Sequence, residues 1–196
     1  MPVTLSDNAL CTLEEVINFG EMSIDDDKDN DIIRRLINGT TTAFHTIAGI
    51  EQFKAKNYTE YLDGTGNRYL RPTHFPINSV ISIYDDTDWG FEDSTLIDSS
   101  YYRIVRERYI VLKNTVFTEF LQNIKITYNA GYNTIPEDIK QLCIEVVSSI
   151  WRRKAEIDVS SRADQFGNVT YIEKFIPKHA KDILTSPKYG DYYGVA

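Results

Sequence analysis

A chain of 196 residues with Lys+Arg 21 against Asp+Glu 29 carries a formal net charge of -8 and a pI near 4.9. That length suits one domain, or one domain with an appendage, and a hydrophobic share of 42% excludes disorder as the whole account. The acidic balance disfavours nucleic-acid binding over a broad surface, because that mode neutralises phosphates with Lys and Arg. Cys11 and Cys143 are far apart in sequence, lack CxxC spacing and sit in apolar patterns, which predicts reduced, buried thiols in a cytosolic setting. No apolar run reaches about 18 residues, so no membrane-spanning helix and no membrane partner are expected. Met1 to Asp7 has neither the basic nor the apolar segment of a secretory signal. Tyr 13 is a high count for an acidic chain. Tyrosine suits subunit contacts and a β-rich core equally.

Residues 1–56 read as helical. Thr12 and Glu15 form a capping-box pattern ahead of Leu13, Val16 and Ile17, with Gly20 as the stop. After Asp25, Asp26, Asp27 and Asp29 comes a periodic run through Ile33, Leu36, Ile37, Thr40, Phe44 and Ile47 to Gly49, predicting a helix of roughly five turns. The aspartates invite a calcium reading, but a loop starting at Asp25 would place Asn30 where Gly is needed and Leu36 where Glu is needed. Carboxylates at the positive end of a helix account for them more simply.

Residues 57–132 read as strands and turns in antiparallel order. Tyr58 to Leu62 leads into Asp63-Gly64-Thr65-Gly66-Asn67, read as a hairpin tip rather than a phosphate loop, since no Lys-Ser/Thr follows. Val80 to Tyr84 precedes an acidic turn at Asp85-Asp86-Thr87-Asp88. Tyr101 to Val105 turns at Arg106-Glu107-Arg108 into Tyr109 to Leu112, and Ile124, Ile126 and Tyr128 alternate with polar residues up to Gly131.

Residues 133–185 hold the clearest helix. Thr134 and Glu137 suggest a capping box across Pro136, and Ile139, Leu142, Cys143, Val146, Val147, Ile150 and Trp151 follow helical spacing. Arg152-Arg153-Lys154 places cations at the negative end of the dipole. Val159 to Asn168 reads as a mobile loop, and Pro177 opens a short helix with Ala180, Ile183 and Leu184. Residues 186–196, with three tyrosines and two glycines, show no period and no core of their own, so they are frayed or ordered by a partner. The fold class that emerges is α+β, a helical bundle of N- and C-terminal helices with a central antiparallel β subdomain in a single domain.

Catalytic patterns are few. His45, His74 and His179 fall in separate zones without metal-ligand spacing, and His45 reads as a hydrogen-bonded core histidine. No GxSxG elbow or kinase set is present, so no catalytic residue, metal or cofactor is assigned.

The order of segments carries more. A Leu-Glu-Glu-Val helix precedes an Asp-rich turn and a helix reaching Leu36-Ile37. Then come Tyr61-Leu62-Asp63-Gly64-x-Gly66, Arg71-Pro72-x-x-x-Pro76-Ile77-x-Ser79-Val80, and Ile126-Thr127-Tyr128-Asn129-Ala130-Gly131-Tyr132 leading to Ile135-Pro136-Glu137-Asp138-Ile139. Gly167 to Tyr171 and Ile183 to Tyr189 close the chain. This order resembles the head–tail connector proteins of tailed bacteriophages, also called adaptor or head-completion proteins. The resemblance implies a structural virion protein, assembled in the host cytoplasm and located in the neck. Family members look like rings, typically dodecamers, that dock beneath the portal and extend the DNA channel toward the tail. The implied partners are copies of itself, the portal and neck or tail-completion proteins, with DNA passing unbound. Ile183, Leu184, Lys188, Tyr189, Tyr192 and Tyr193 become candidates for docking on the portal. Arg103, Arg106, Arg108, Arg152 and Arg153 become candidates for subunit contacts, and Asp25, Asp26, Asp27 and Asp29 for the channel or its rim. Another neck or tail-completion protein, or a small cytosolic enzyme or carbohydrate-binding β domain, are the alternatives.

Overall fold

A computed structural model describes residues 2–22, 27–154 and 172–190. The chain divides into two compact units, residues 1–53 with 134–196 and residues 54–133. Helices fill the first and antiparallel sheets the second, a mixed α+β fold as the sequence predicts.

In the helical unit, α1 (Leu13–Gly20) starts with the predicted capping box. The Thr12 hydroxyl accepts the Glu15 N–H at 3.2 Å, and the Glu15 carboxylate accepts the Thr12 N–H at 2.8 Å. Gly20 is the last helical residue, and the left-handed cap falls one position later on Glu21, at φ 47°. α2 (Asp27–Ala48) buries Ile33, Leu36, Ile37, Ala43 and Phe44 on one face. It ends at Gly49, whose φ of +67° lets the Ile50 N–H close on the His45 carbonyl at 3.1 Å. α3 (Glu137–Lys154) buries Ile139, Cys143, Val147 and Ile150. It begins two residues later than a Thr134 cap requires. Pro136 supplies the carbonyl that receives the Lys140 N–H, and Thr134 stands outside the helix. α4 (Lys178–Leu184) follows Pro177 as predicted. α2 packs on α3, α1 on both, and α4 on α2.

Ahead of α1, the N-terminal arm lies along α2. The Val3 N–H donates to Asp31, the Ser6 N–H to Asn38, the Asn38 amide to the Thr4 carbonyl, and the Leu10 N–H to Thr41. The arm ends by placing Cys11 against Cys143, with Sγ atoms 3.6 Å apart. Both thiols are buried as expected, but Cys11 precedes the helix, and distance in sequence gave no sign of the contact.

The second unit has two three-stranded sheets. One orders β1 (Lys56–Gly64), β6 (Phe120–Ala130) and β3 (Ile77–Asp85) with β6 central; the other orders β2 (Tyr69–Leu70), β5 (Tyr109–Leu112) and β4 (Tyr102–Val105). Their inner faces share a core of Ile83, Ile110, Leu112, Phe117, Ile124, Ile126 and Tyr128. The predicted hairpin at Gly64–Gly66 is not formed: β1 pairs with β6 and β2 pairs with β5, so the glycines join two sheets. Gly64 is required for close approach instead. A Cβ there would lie 1.7 Å from the Thr118 carbonyl oxygen, and its N–H donates to the Asn123 side chain at 2.8 Å. The β4–β5 hairpin forms where predicted, with Arg106 and Glu107 both left-handed and the Arg108 N–H closing on the Val105 carbonyl at 3.2 Å.

Candidate assembly surfaces

Four groups of sequence-selected residues fall in different places. At the end of the helical unit, Leu184 and Tyr189 are buried, Ile183 is half-buried and Lys188 is exposed. Tyr189 is only 2% exposed; its ring meets Phe53 edge-on at 6.1 Å, and its hydroxyl reaches both oxygens of Asp138 at 2.6 Å. Burial, then the bond to Asp138, pushes the Tyr189 hydroxyl up to about 12. Burial works against ionisation of Asp138, yet donors from Tyr189 and Lys188 hold its carboxyl below the usual range. The segment after 186 has no core of its own, as expected, but the expectation that it is frayed or ordered by a partner is corrected as far as Gly190, because Tyr189 joins the core of the helical unit. Tyr192 and Tyr193 lie outside the described residues, as do Asp25, Asp26 and the loop expected at Val159 to Asn168.

Asp27 and Asp29 sit in the first turn of α2, where carboxylates face free N–H groups and the positive end of the dipole. Arg152 and Arg153 are exposed at the last turn of α3, with the Arg153 guanidinium 5.1 Å from the centre of the Phe175 ring.

Arg103 and Arg106 share one surface, and Arg108 packs separately. On the outer face of the β2–β5–β4 sheet, Tyr69, Val111 and Arg103 form one cross-strand row, and Tyr109 opposes Val105. Arg106 stands at the turn. Tyr69, Val105, Arg106 and Tyr109 enclose a cleft of about 350 Å³, the size that accepts one organic side chain or small ligand. A second cleft is lined by Arg68, Arg103 and Lys113, and Arg68 Nε is held by the Leu112 carbonyl at 3.0 Å. Arg108 is half-buried against Phe75, its guanidinium 3.7 Å from the ring centre.

Sequence reasoning noted Asp85 to Asp88 only as an acidic turn, and so passed over the surface that follows it. The Asp86 carboxylate accepts N–H groups from Asp88 at 2.9 Å and from Phe91 at 2.7 Å, and these bonds hold its carboxyl below the usual range. The loop so fixed puts Trp89 at φ 56° and Phe91 at φ 50°, with Trp89 55% exposed beside Phe120 and Leu121. Trp89 Nε1 donates to the Leu121 carbonyl at 3.1 Å. Asp-x-x-Trp-Gly-Phe, an Asx turn carrying aromatics, was the available signal.

The histidines do not converge. His45 is buried in the helical unit, where its Nε2 accepts the Phe53 N–H at 3.3 Å and burial pushes its pKa down to about 4. This is the core histidine the sequence predicts. His179 is exposed on α4. His74 stacks on Tyr58 at 3.7 Å in the other unit, 3.4 Å from Glu60. Glu60 also takes the Tyr128 hydroxyl at 2.6 Å and the Thr73 N–H at 3.0 Å. Burial, then the Glu60 bond, pushes the Tyr128 hydroxyl above its ordinary range; it donates to Glu60 on β1 and accepts the His74 N–H at 3.0 Å, tying β1 to the 73–74 loop.

Against known proteins, a family model described as head completion protein matches residues 9–188. The chain belongs to that family. Head completion is a structural task, and it makes this head completion protein a virion component. Among solved structures it is similar to a chain from the neck of an empty gene transfer agent particle computed with C6 symmetry. That match has TM-score 0.55 and 13% identity, and covers 89% of this chain and 93% of the other. A chain from the neck of the native particle, computed with C12 symmetry, gives TM-score 0.50 and 14% identity over 89% and 93%. Both likenesses concern the fold. No curated protein matches.

Proposed function

We propose that this head completion protein forms a ring, twelve-membered in the virion, beneath the portal, where it extends the DNA channel and joins head to tail. The observation that carries the reading is the family match over residues 9–188. The C6 and C12 symmetries of the neck particles with a similar fold support a ring. Charge placement supports the channel. Of the 29 acidic residues, ten lie in residues 1–53 against three Lys and Arg. A wall of that sign gives DNA phosphates no counterion-release attraction, so the genome passes without sticking. Asp25, Asp26, Asp27 and Asp29 are the channel or rim residues of this reading. Ile183, Lys188, Tyr192 and Tyr193 meet the portal, with Leu184 and Tyr189 anchoring the segment that presents them. Arg103, Arg106, Arg108, Arg152 and Arg153 serve contacts between subunits. The work is done by fitting, without chemical turnover.

Particles made without the protein test this by electron microscopy. Filled, tailless heads that lose DNA are expected. Intact infectious particles would overturn the reading.

A further inference from the structure

Residues 54–133 hold nine Lys and Arg against ten Asp and Glu, so this unit is close to neutral. Its charges are nevertheless sorted by place. Arg103 and Arg106 are exposed on the outer face of the β2–β5–β4 sheet, and Asp88, Glu92 and Asp93 are exposed on the loop between β3 and β4. None of these five has an ion-pair partner among the described residues. The apolar groups are sorted the same way. The loop carries Trp89 outward, and the sheet face offers the cleft between Tyr69, Val105 and Tyr109.

We infer that in the assembled ring the acidic Trp89 loop of one copy docks on the arginine–tyrosine face of the next. Trp89 fills the Tyr69–Tyr109 cleft, and Asp88, Glu92 and Asp93 meet Arg103 and Arg106. The inference rests on the ring reading and names its contact. The two surfaces are different parts of one unit, so the contact is head-to-tail, the type that closes into rings under cyclic symmetry. Trp, Tyr and Arg are the residues that dominate contact energy when desolvated together. The Asp86 bonds fix the loop before docking, which reduces the ordering cost of association. A near-neutral unit also meets its copy without net repulsion, unlike the acidic first 53 residues.

The test uses purified full-length protein added to heads made without it, with rings counted by electron microscopy. Two variants reverse one surface each: Asp88→Lys/Glu92→Lys/Asp93→Lys and Arg103→Glu/Arg106→Glu. All the altered side chains are exposed, and thermal melting confirms folding. Each variant alone should form at least tenfold fewer rings than wild type. An equimolar mixture should restore them, since reversed loop meets reversed face in alternation around an even-numbered ring. Trp89→Ala, which changes no charge, should also reduce ring number. If either reversed variant forms rings alone, or the mixture fails to restore them, the contact is wrong. The arginine face would then belong to DNA or another neck protein, and wild-type rings would leave the ring reading standing. If wild type forms none, the ring reading itself falls.

Discussion

Asn123 is the polar centre of the β unit, and replacing it with Ala is the sharpest test of how the ends of β1 and β3 and the 118 loop are held to β6. It is fully buried. Its Oδ1 accepts the Gly64 N–H at 2.8 Å, and its Nδ2 donates to Asp85 at 2.8 Å and to the Thr118 carbonyl at 3.0 Å. Two neutral bonds of about 1 kcal/mol each and one to a carboxylate of about 2 kcal/mol are lost together. The Gly64 N–H is left buried without an acceptor, a penalty of about 1–3 kcal/mol that overlaps with the lost bond. Gly64 has no side chain to fill the gap, and none fits, since a Cβ would meet Thr118. The expected loss is about 4 kcal/mol after allowing for overlap. Urea unfolding followed by Trp89 fluorescence, in a Trp151→Phe background that silences the other tryptophan, reports this unit alone. The midpoint should fall by about 2 M at ordinary urea slopes. Asn123→Asp keeps the acceptor for Gly64 but sets a carboxylate against Asp85, so part of its loss should recover on acidification. A loss under about 1 kcal/mol for Asn123→Ala would refute the network as the tie between β1, β3 and β6 at this end of the sheet.

Other outcomes follow from single contacts. Folded His45 stays neutral down to about pH 4, whereas the unfolded chain binds that proton near 6.5, so stability should fall between those values on acidification. The loss approaches about 3 kcal/mol, and His45→Gln, which can still accept the Phe53 N–H, should flatten the profile of melting temperature against pH. Tyr189→Phe removes a bond to a partly exposed carboxylate; it should cost about 1–2 kcal/mol in calorimetry and let the Asp138 carboxyl rise, as read by NMR titration. Contact with Cys11, then burial, pushes the Cys143 thiol well above its ordinary range, so a thiol reagent should label neither cysteine in the folded chain and both at one rate as denaturant is added. Gly131→Ala places a Cβ 2.8 Å from the Lys54 carbonyl at a φ of +106°, and a loss above about 2 kcal/mol is expected in the same urea assay.

The helices were legible because their information is local. Thr12 with Glu15, and the run from Ile33 to Ile47, specify a cap and a buried face within a few residues of themselves. The strands were legible one by one for the same reason, through the alternation at Ile124, Ile126 and Tyr128. Their pairing was not. Asp63 to Asn67 has good hairpin composition, and what overrides it is Asn123, sixty residues on, which takes the Gly64 N–H while β6 occupies the place of a hairpin partner. Tyr189 shows the same limit. A tail without periodicity can still supply one core residue when Phe53 and Asp138 wait for it, and neither is near in sequence.

The assembly surfaces divide along similar lines. Arg103 and Arg106 could be singled out as cations, but only the sheet sets Arg103 in one row with Val111 and Tyr69, turning two charges into the rim of an aromatic face. Trp89 was passed over because exposure is a property of the fold: a tryptophan after an acidic turn reads as core until Asp86 is seen gathering the loop's N–H groups inward. With those donors satisfied inside the loop, its backbone needs no neighbour, and the indole is left outward beside Phe120 and Leu121, the latter 70% exposed. The exposed part of an apolar group held out by a rigid loop gains nothing for the isolated unit. Its burial becomes favourable only when a second surface covers it, which is the role the inferred contact between copies gives this loop.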